Sequence, residues 1–186
     1  MRLFTTRSRP MLLGIIVVAA TFCLSFACCC AQLQKMPAVH GKTLNGDHLS
    51  LPLKAGGRPT VLVFGFARSA KEQGKAWGME LLAWQEKDNG FDFYQVAVLD
   101  GAPRFTHGLI TRAIRAEVPR AYHSHTLLLT GGDKRWKQVL DVTDESKAYI
   151  VLCSPSGTIQ WKSRGSGKEQ FLALKEQLDA VNPVLR

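Results

Sequence analysis

Seven consecutive residues, Thr60-Val61-Leu62-Val63-Phe64-Gly65-Phe66, carry no charge and are rich in Val and Phe. A run of that length and composition reads as a central β-strand buried on both faces. Such a strand needs cover on two sides, and the flanking sequence supplies it. After Phe66, Gly74, Trp77, Leu81 and Trp84 recur at the spacing of one helical face, from a start near Ala70 to a stop at Asn89-Gly90. Gly78 weakens that helix slightly. Phe91–Leu99 reads as a second strand. Phe105, Leu109, Ala113 and Ala116 give a second helical face that ends at Pro119. Thr126–Thr130 is a short strand and Lys134–Val142 a short helix. Ala148–Cys153 and Thr158–Lys162 are two strands joined by the turn Ser154-Pro155-Ser156-Gly157. Phe171, Leu174, Leu178 and Val181 mark a last helix. Ahead of all this, Val39–Leu44 and Asp47–Leu51 flank Asn45-Gly46, a hairpin signal whose two turn residues need positive φ. The order ββ-β-α-β-α-β-α-β-β-α argues a mixed α/β sheet with helices on both faces and an N-terminal β-hairpin.

The chain also begins with an export-type segment. Arg2, Arg7 and Arg9 precede an uncharged apolar run from Met11 to Ala31. A basic start, an apolar stretch and small residues at its end describe a secretory signal, with Cys29 and Ala31 at −3 and −1 of a cut before Gln32. The run is also long enough to stay as a membrane anchor. Ala27-Cys28 leaves lipid attachment open as a third fate. Residues 1–31 are therefore read as signal peptide or anchor, 32–38 as a linker and 39–186 as the folded domain. The positive flank stays cytoplasmic, and the domain is expected outside, in the periplasm or on the outer face of the inner membrane. Removing the leader's three arginines lowers the net charge from +9 to +6.

Four of the five cysteines, Cys23, Cys28, Cys29 and Cys30, fall in the leader. An exported domain left with Cys153 alone has no internal disulfide and no CxxC pair. At 46% hydrophobic and 21% charged residues, the composition excludes collagen-like and disordered chains. Nucleic acid is not an expected partner, since no basic stripe is interleaved with aromatics. An anionic membrane surface or an acidic protein suits the excess charge better.

The element order resembles that of the thioredoxin-like superfamily, in its redoxin, peroxiredoxin-like and copper-chaperone branches, over roughly Val39–Val181. Asn45-Gly46-Asp47-His48-Leu49-Ser50-Leu51 followed by Pro59–Phe66 is similar to the opening of those families. Ala148–Cys153, Ser156-Gly157, Ile159, Trp161 and Gly165 are similar to their last hairpin. The resemblance implies a cysteine motif at the helix start after Phe66, where a helix N-terminus lowers a thiol pKa. Here Phe66-Ala67-Arg68-Ser69-Ala70-Lys71-Glu72-Gln73-Gly74 contains none. It also implies a cis-proline before the fourth strand of that fold, where this chain has Asp144-Glu145-Ser146-Lys147. A further resemblance, through Arg68, Trp77, Ile159, Trp161 and Gly165, is to the mitochondrial ATP synthase assembly-factor family, which keeps a thioredoxin-like frame without the cysteine pair. That likeness implies a chaperone-like, membrane-proximal role.

The candidate binding residues are Arg68, Ser69, Lys71, Trp77, Ser146 and Lys147, for a protein client. No catalytic residue, metal or cofactor is expected. Ser69 stands near the place of an attacking cysteine, yet Ser69-x-x-Glu72 also reads as a capping box. Arg68 and Lys71 suit an anion or carboxylate at the helix start. His123 and His125 would share a strand face, half of a metal site without a third ligand. Cys153 reads as a small buried hydrophobe. The four tryptophans read as core or as walls of a peptide groove. The rival function is a divergent thiol-dependent oxidoreductase or peroxiredoxin-like enzyme acting through Cys153 or a partner's thiol.

Overall fold

The computed structural model describes residues 34–52, 57–87 and 90–181. The leader expected over 1–31, and Asn89 of the expected helix stop, lie outside them. Among the described residues seven strands form one sheet: β1 (Val39–Thr43), β2 (His48–Leu51), β3 (Thr60–Gly65), β4 (Asp92–Val98), β5 (Thr126–Leu129), β6 (Ala148–Cys153) and β7 (Ile159–Arg164). Their spatial order is β2-β1-β5-β4-β3-β6-β7. β3, β4 and β5 run parallel, and the strands on either side join antiparallel. Four α-helices accompany them: α1 (Lys71–Lys87), α2 (His107–Glu117), α3 (Asp133–Val139) and α4 (Lys168–Val181).

The apolar run at β3 is buried on both sides, as its composition predicts. Leu62 and Phe64 enter one core with Val96, Leu127 and Val151, closed by Trp136 and Val139 of α3. Val61 and Val63 enter the other with Phe93, Ile150 and Leu152, closed by Trp77 and Leu81 of α1 and Leu174 and Leu178 of α4. Period two along β3 thus feeds both layers.

α2 is turned differently from the expectation. The stripe Phe105, Leu109, Ala113 and Ala116 faces solvent, with Phe105 85% and Leu109 68% exposed. Ile110, Ile114 and Val118, four apart, pack instead on Ala97, Leu99 and Leu128. Phe105 lies in the turn Arg104–Thr106 ahead of α2, and Leu109, Ala113 and Ala116 carry less apolar surface than Ile110, Ile114 and Val118.

The first hairpin also closes in its own way. Gly46 alone takes positive φ, at 104°, while Gly46 N–H donates to Thr43 O and Thr43 N–H to Asp47 O. The loop is therefore a three-residue turn with glycine at the left-handed position, not the two-residue turn that needs positive φ at Asn45 too.

Part of the expected linker is docked. Met36 N–H donates to Gly157 O, Ile159 N–H donates to Gln34 O, and Met36 is buried. Gly157, with φ 77°, lies against Pro52: a Cβ there would stand 2.7 Å from the proline Cβ. The right-handed twist of a wide sheet draws such diagonal corners together.

Candidate functional site

The C-terminal end of β3 delivers the chain into a short 3-10 turn, Arg68–Ala70, that runs straight into α1. Gly65 pairs with Ala148, so the loop before β6 lies beside this turn. Gln73 of α1 locks the two together, its Oε1 accepting from Ala148 N–H at 2.9 Å. Arg68, Ser69, Lys71, Ser146 and Lys147 are thereby gathered at one end of the sheet.

The capping box does not form. The turn begins after Ala67, whose φ of −134° is extended, and this places Ser69 inside the turn rather than ahead of it. No side chain caps that turn. Ser69 is exposed there.

The two cations at the helix start share a partner that the sequence did not suggest. Glu117, the last residue of α2, accepts from Lys71 Nζ at 2.8 Å and lies 3.8 Å from Arg68. The Lys71 hydrogen bond, with the charges of Lys71 and Arg68, holds the Glu117 carboxyl below its usual range. An acid at a helix C-terminus opposes the helix dipole, and this was its one local signal. Arg68 still projects, its side chain 90% exposed, so the surface offers a guanidinium that is loosely held.

The loop before β6 is built by hydrogen bonds rather than by proline. Tyr149 Oη accepts from the N–H groups of Thr143 and Asp144 and donates to Asp144 O. Asp144 Oδ1 accepts from Ser146 N–H at 2.9 Å and from Ser146 Oγ at 2.6 Å, which lowers the Asp144 pKa. Ser146 is therefore occupied in shaping its own loop. Lys147 is exposed. Beside it Lys137 bonds Glu145 at 2.6 Å, an interaction that raises the lysine pKa, and sits 5.6 Å over the Phe66 ring. Gln73, Glu117, Phe66 and Lys137 complete a surface that sequence spacing did not assemble, and the buried Tyr149 shapes the loop beneath it.

Trp77 is removed from the candidate set. It is fully buried, its Nε1–H donates to Gly165 O at 2.8 Å, and its ring meets Phe171 edge-on at 4.4 Å. It belongs to the core between α1 and α4 and has no surface with which to meet a client.

Cys153 lies at the far end of β6, opposite Thr60. Five residues of strand, about 17 Å, separate it from the helix start. Burial pushes its thiol up to about 12. His123 and His125 are not on a strand; they occupy the turn before β5. Each bonds a backbone carbonyl, His123 that of Val118 and His125 that of Phe93, and His125 stacks on the Phe93 ring. Among the described residues no three His, Cys, Asp or Glu side chains form a metal-sized group.

No family model matches the chain, and no curated protein matches it by sequence. Its fold does match solved structures. The thioredoxin domain of a thiol-disulfide oxidoreductase from Bacteroides vulgatus is 21% identical, with a TM-score of 0.57 over 78% of this chain and 96% of that one. The exposed lipoprotein thioredoxin of Streptococcus pneumoniae is 10% identical, with a TM-score of 0.55 over 77% and 99%. BsSco, a member of the Sco family of cytochrome c oxidase assembly proteins, is 14% identical, with a TM-score of 0.55 over 82% and 95%. The chain has a thioredoxin-like fold.

Proposed function

We propose that the protein is an exported or membrane-anchored thioredoxin-like binding protein, of assembly or chaperone type, that performs no thiol chemistry of its own. One observation carries this reading: where the fold's redox members present a thiolate, this chain presents Arg68 and Lys71 bridged by Glu117. Thiol exchange needs an attacking thiolate with access to its target. Cys153 is buried, carries a raised pKa and sits at the wrong end of β6. Among the described residues no base is hydrogen-bonded to Ser69, and a hydroxyl without one is a poor nucleophile. What remains at the helix start is a polar, cation-bearing surface suited to holding a carboxylate-rich segment of a protein client. The basic, apolar leader supports an extracytoplasmic setting, and the exposed lipoprotein among the structures of similar fold accords with it. BsSco, described as belonging to an assembly-protein family, is a precedent for assembly work on this frame.

The test is an insulin-reduction and peroxide-consumption assay of the purified protein with dithiol present, paired with co-purification from detergent-extracted membranes. Both activities are expected at background, with a client retained by the wild type and lost in the Arg68→Glu, Lys71→Glu double variant. Peroxide turnover that disappears in Cys153→Ala would overturn the reading in favour of a thiol enzyme.

A further inference from the structure

α2 packs on one sheet face over β4 and β5, and its Arg115 reaches the turn of the outer hairpin at Leu44. On that hairpin, His40 lies opposite Ser50 and Lys42 opposite His48. Alternation along a strand turns all four side chains to the same side. That side is the one α2 occupies, because Lys42 pairs with Leu128 and Leu128 packs beneath Ile110 and Ile114. Between hairpin and helix runs a groove of about 400 Å3, with His107, Thr111 and Arg115 along its helical wall. Their spacing of four places those three on one stripe of α2.

The groove is lined by five basic side chains and no carboxylate. Asp47 is the one acid in the hairpin, and it is engaged at the turn with Thr43. Lys42, like Lys75 on α1, has no ion pair among the described residues, whereas Lys71, Lys137, Lys162 and Lys175 are each paired with an acid. Arg115 gives one N–H to Leu44 O at 2.6 Å, which fixes the guanidinium at the groove and leaves its other donors available. Ser50 adds a hydroxyl, hydrogen-bonded to His40 Nδ1 at 3.0 Å.

We propose that this groove binds a phosphate group, carried either by a small phosphate ester or by the headgroup of an anionic phospholipid. A tetrahedral anion accepts from a guanidinium, an ammonium and hydroxyls at once, and charge-assisted bonds of this kind are the strong ones. The volume lies within the range of small-ligand sites. The site is separate from the helix-start surface and independent of whether the protein does thiol chemistry.

The experiment uses the full chain in detergent. Calorimetric titrations with inorganic phosphate and glycerol 3-phosphate form one arm. Titration with mixed micelles of the same detergent and phosphatidylcholine, with and without phosphatidylglycerol, forms the other. Saturable binding is expected in at least one arm, and which arm identifies the source of the phosphate. Lys42 and His48 are exposed, so the Lys42→Gln, His48→Gln double variant should keep the wild-type melting temperature. It should bind at least about tenfold more weakly, while Lys75→Gln on α1 binds as the wild type does. The proposal is overturned if no probe saturates, if the double variant binds like the wild type, or if Lys75→Gln weakens binding equally.

Discussion

Trp77 and Trp136 fill the two cores on opposite faces of β3, yet only one has a partner for its indole N–H. Trp77 donates to Gly165 O, whereas Trp136 Nε1 is buried without a hydrogen bond and the Trp136 ring lies tilted against Phe64, centroids 4.5 Å apart. Replacing each with Phe removes similar volume, but at Trp77 it also strands the Gly165 carbonyl. Trp77→Phe should therefore cost about 1 kcal/mol more than Trp136→Phe, read as the difference in urea midpoints. Cys153 supplies a second prediction. Its pKa is raised from 9.0 to about 12 by burial, so the folded state holds the thiol proton where the unfolded chain releases it. Its contribution is complete below pH 9 and is lost as pH rises from 9 towards 12. Between pH 8 and 10.5 the wild type should lose up to about 2 kcal/mol more than Cys153→Ala does, measured by denaturant titration at both pH values.

At the level of elements, α2 separates two apolar stripes by what each can bury. Ile114→Ala, on the stripe against Leu128, should destabilise by about 1–2 kcal/mol. Leu109→Ala, on the solvent stripe, should change stability by less than about 0.5 kcal/mol. Thermal melts of the two variants distinguish this orientation from the reverse. The link between α2 and α1 is testable through pH. Glu117 has a lowered pKa, so its ion pairs support the fold above the usual carboxylate range near 4.5 and fade as pH falls below it. Glu117→Gln should flatten the decline in melting temperature between pH 6 and pH 3. These elements also mark how far the sequence could be read. The β3 run, the α1 face and the turn after Cys153 were legible because each pattern is local and has one solution. The α2 face was not, because two stripes on one helix are apolar and only the sheet beneath decides between them. Arg68 and Lys71 were legible as cations at a helix start. Their partner Glu117 lies on another helix, and nothing in its neighbours announces the pairing.

In the molecule as a whole, the docked segment Gln34–Met36 closes the diagonal of the sheet, packing Met36 beside Gly157 and the Pro52 corner. A chain beginning at Val39 loses that buried methionine and two backbone hydrogen bonds. It should be less stable by about 2–3 kcal/mol than one beginning at Gln34, as judged by denaturant midpoints at constant slope. The same docking sets a polarity. Gln34 leaves the sheet beside Ile159, whose partner is Cys153, while Arg68 and Lys71 stand by Ala148 at the other end of β6. The chain thus enters the domain at one pole, and the Arg68–Lys71 surface lies at the other, about 17 Å along the strand; under the function proposed above, holding the protein in place and engaging a client would not compete for the same ground.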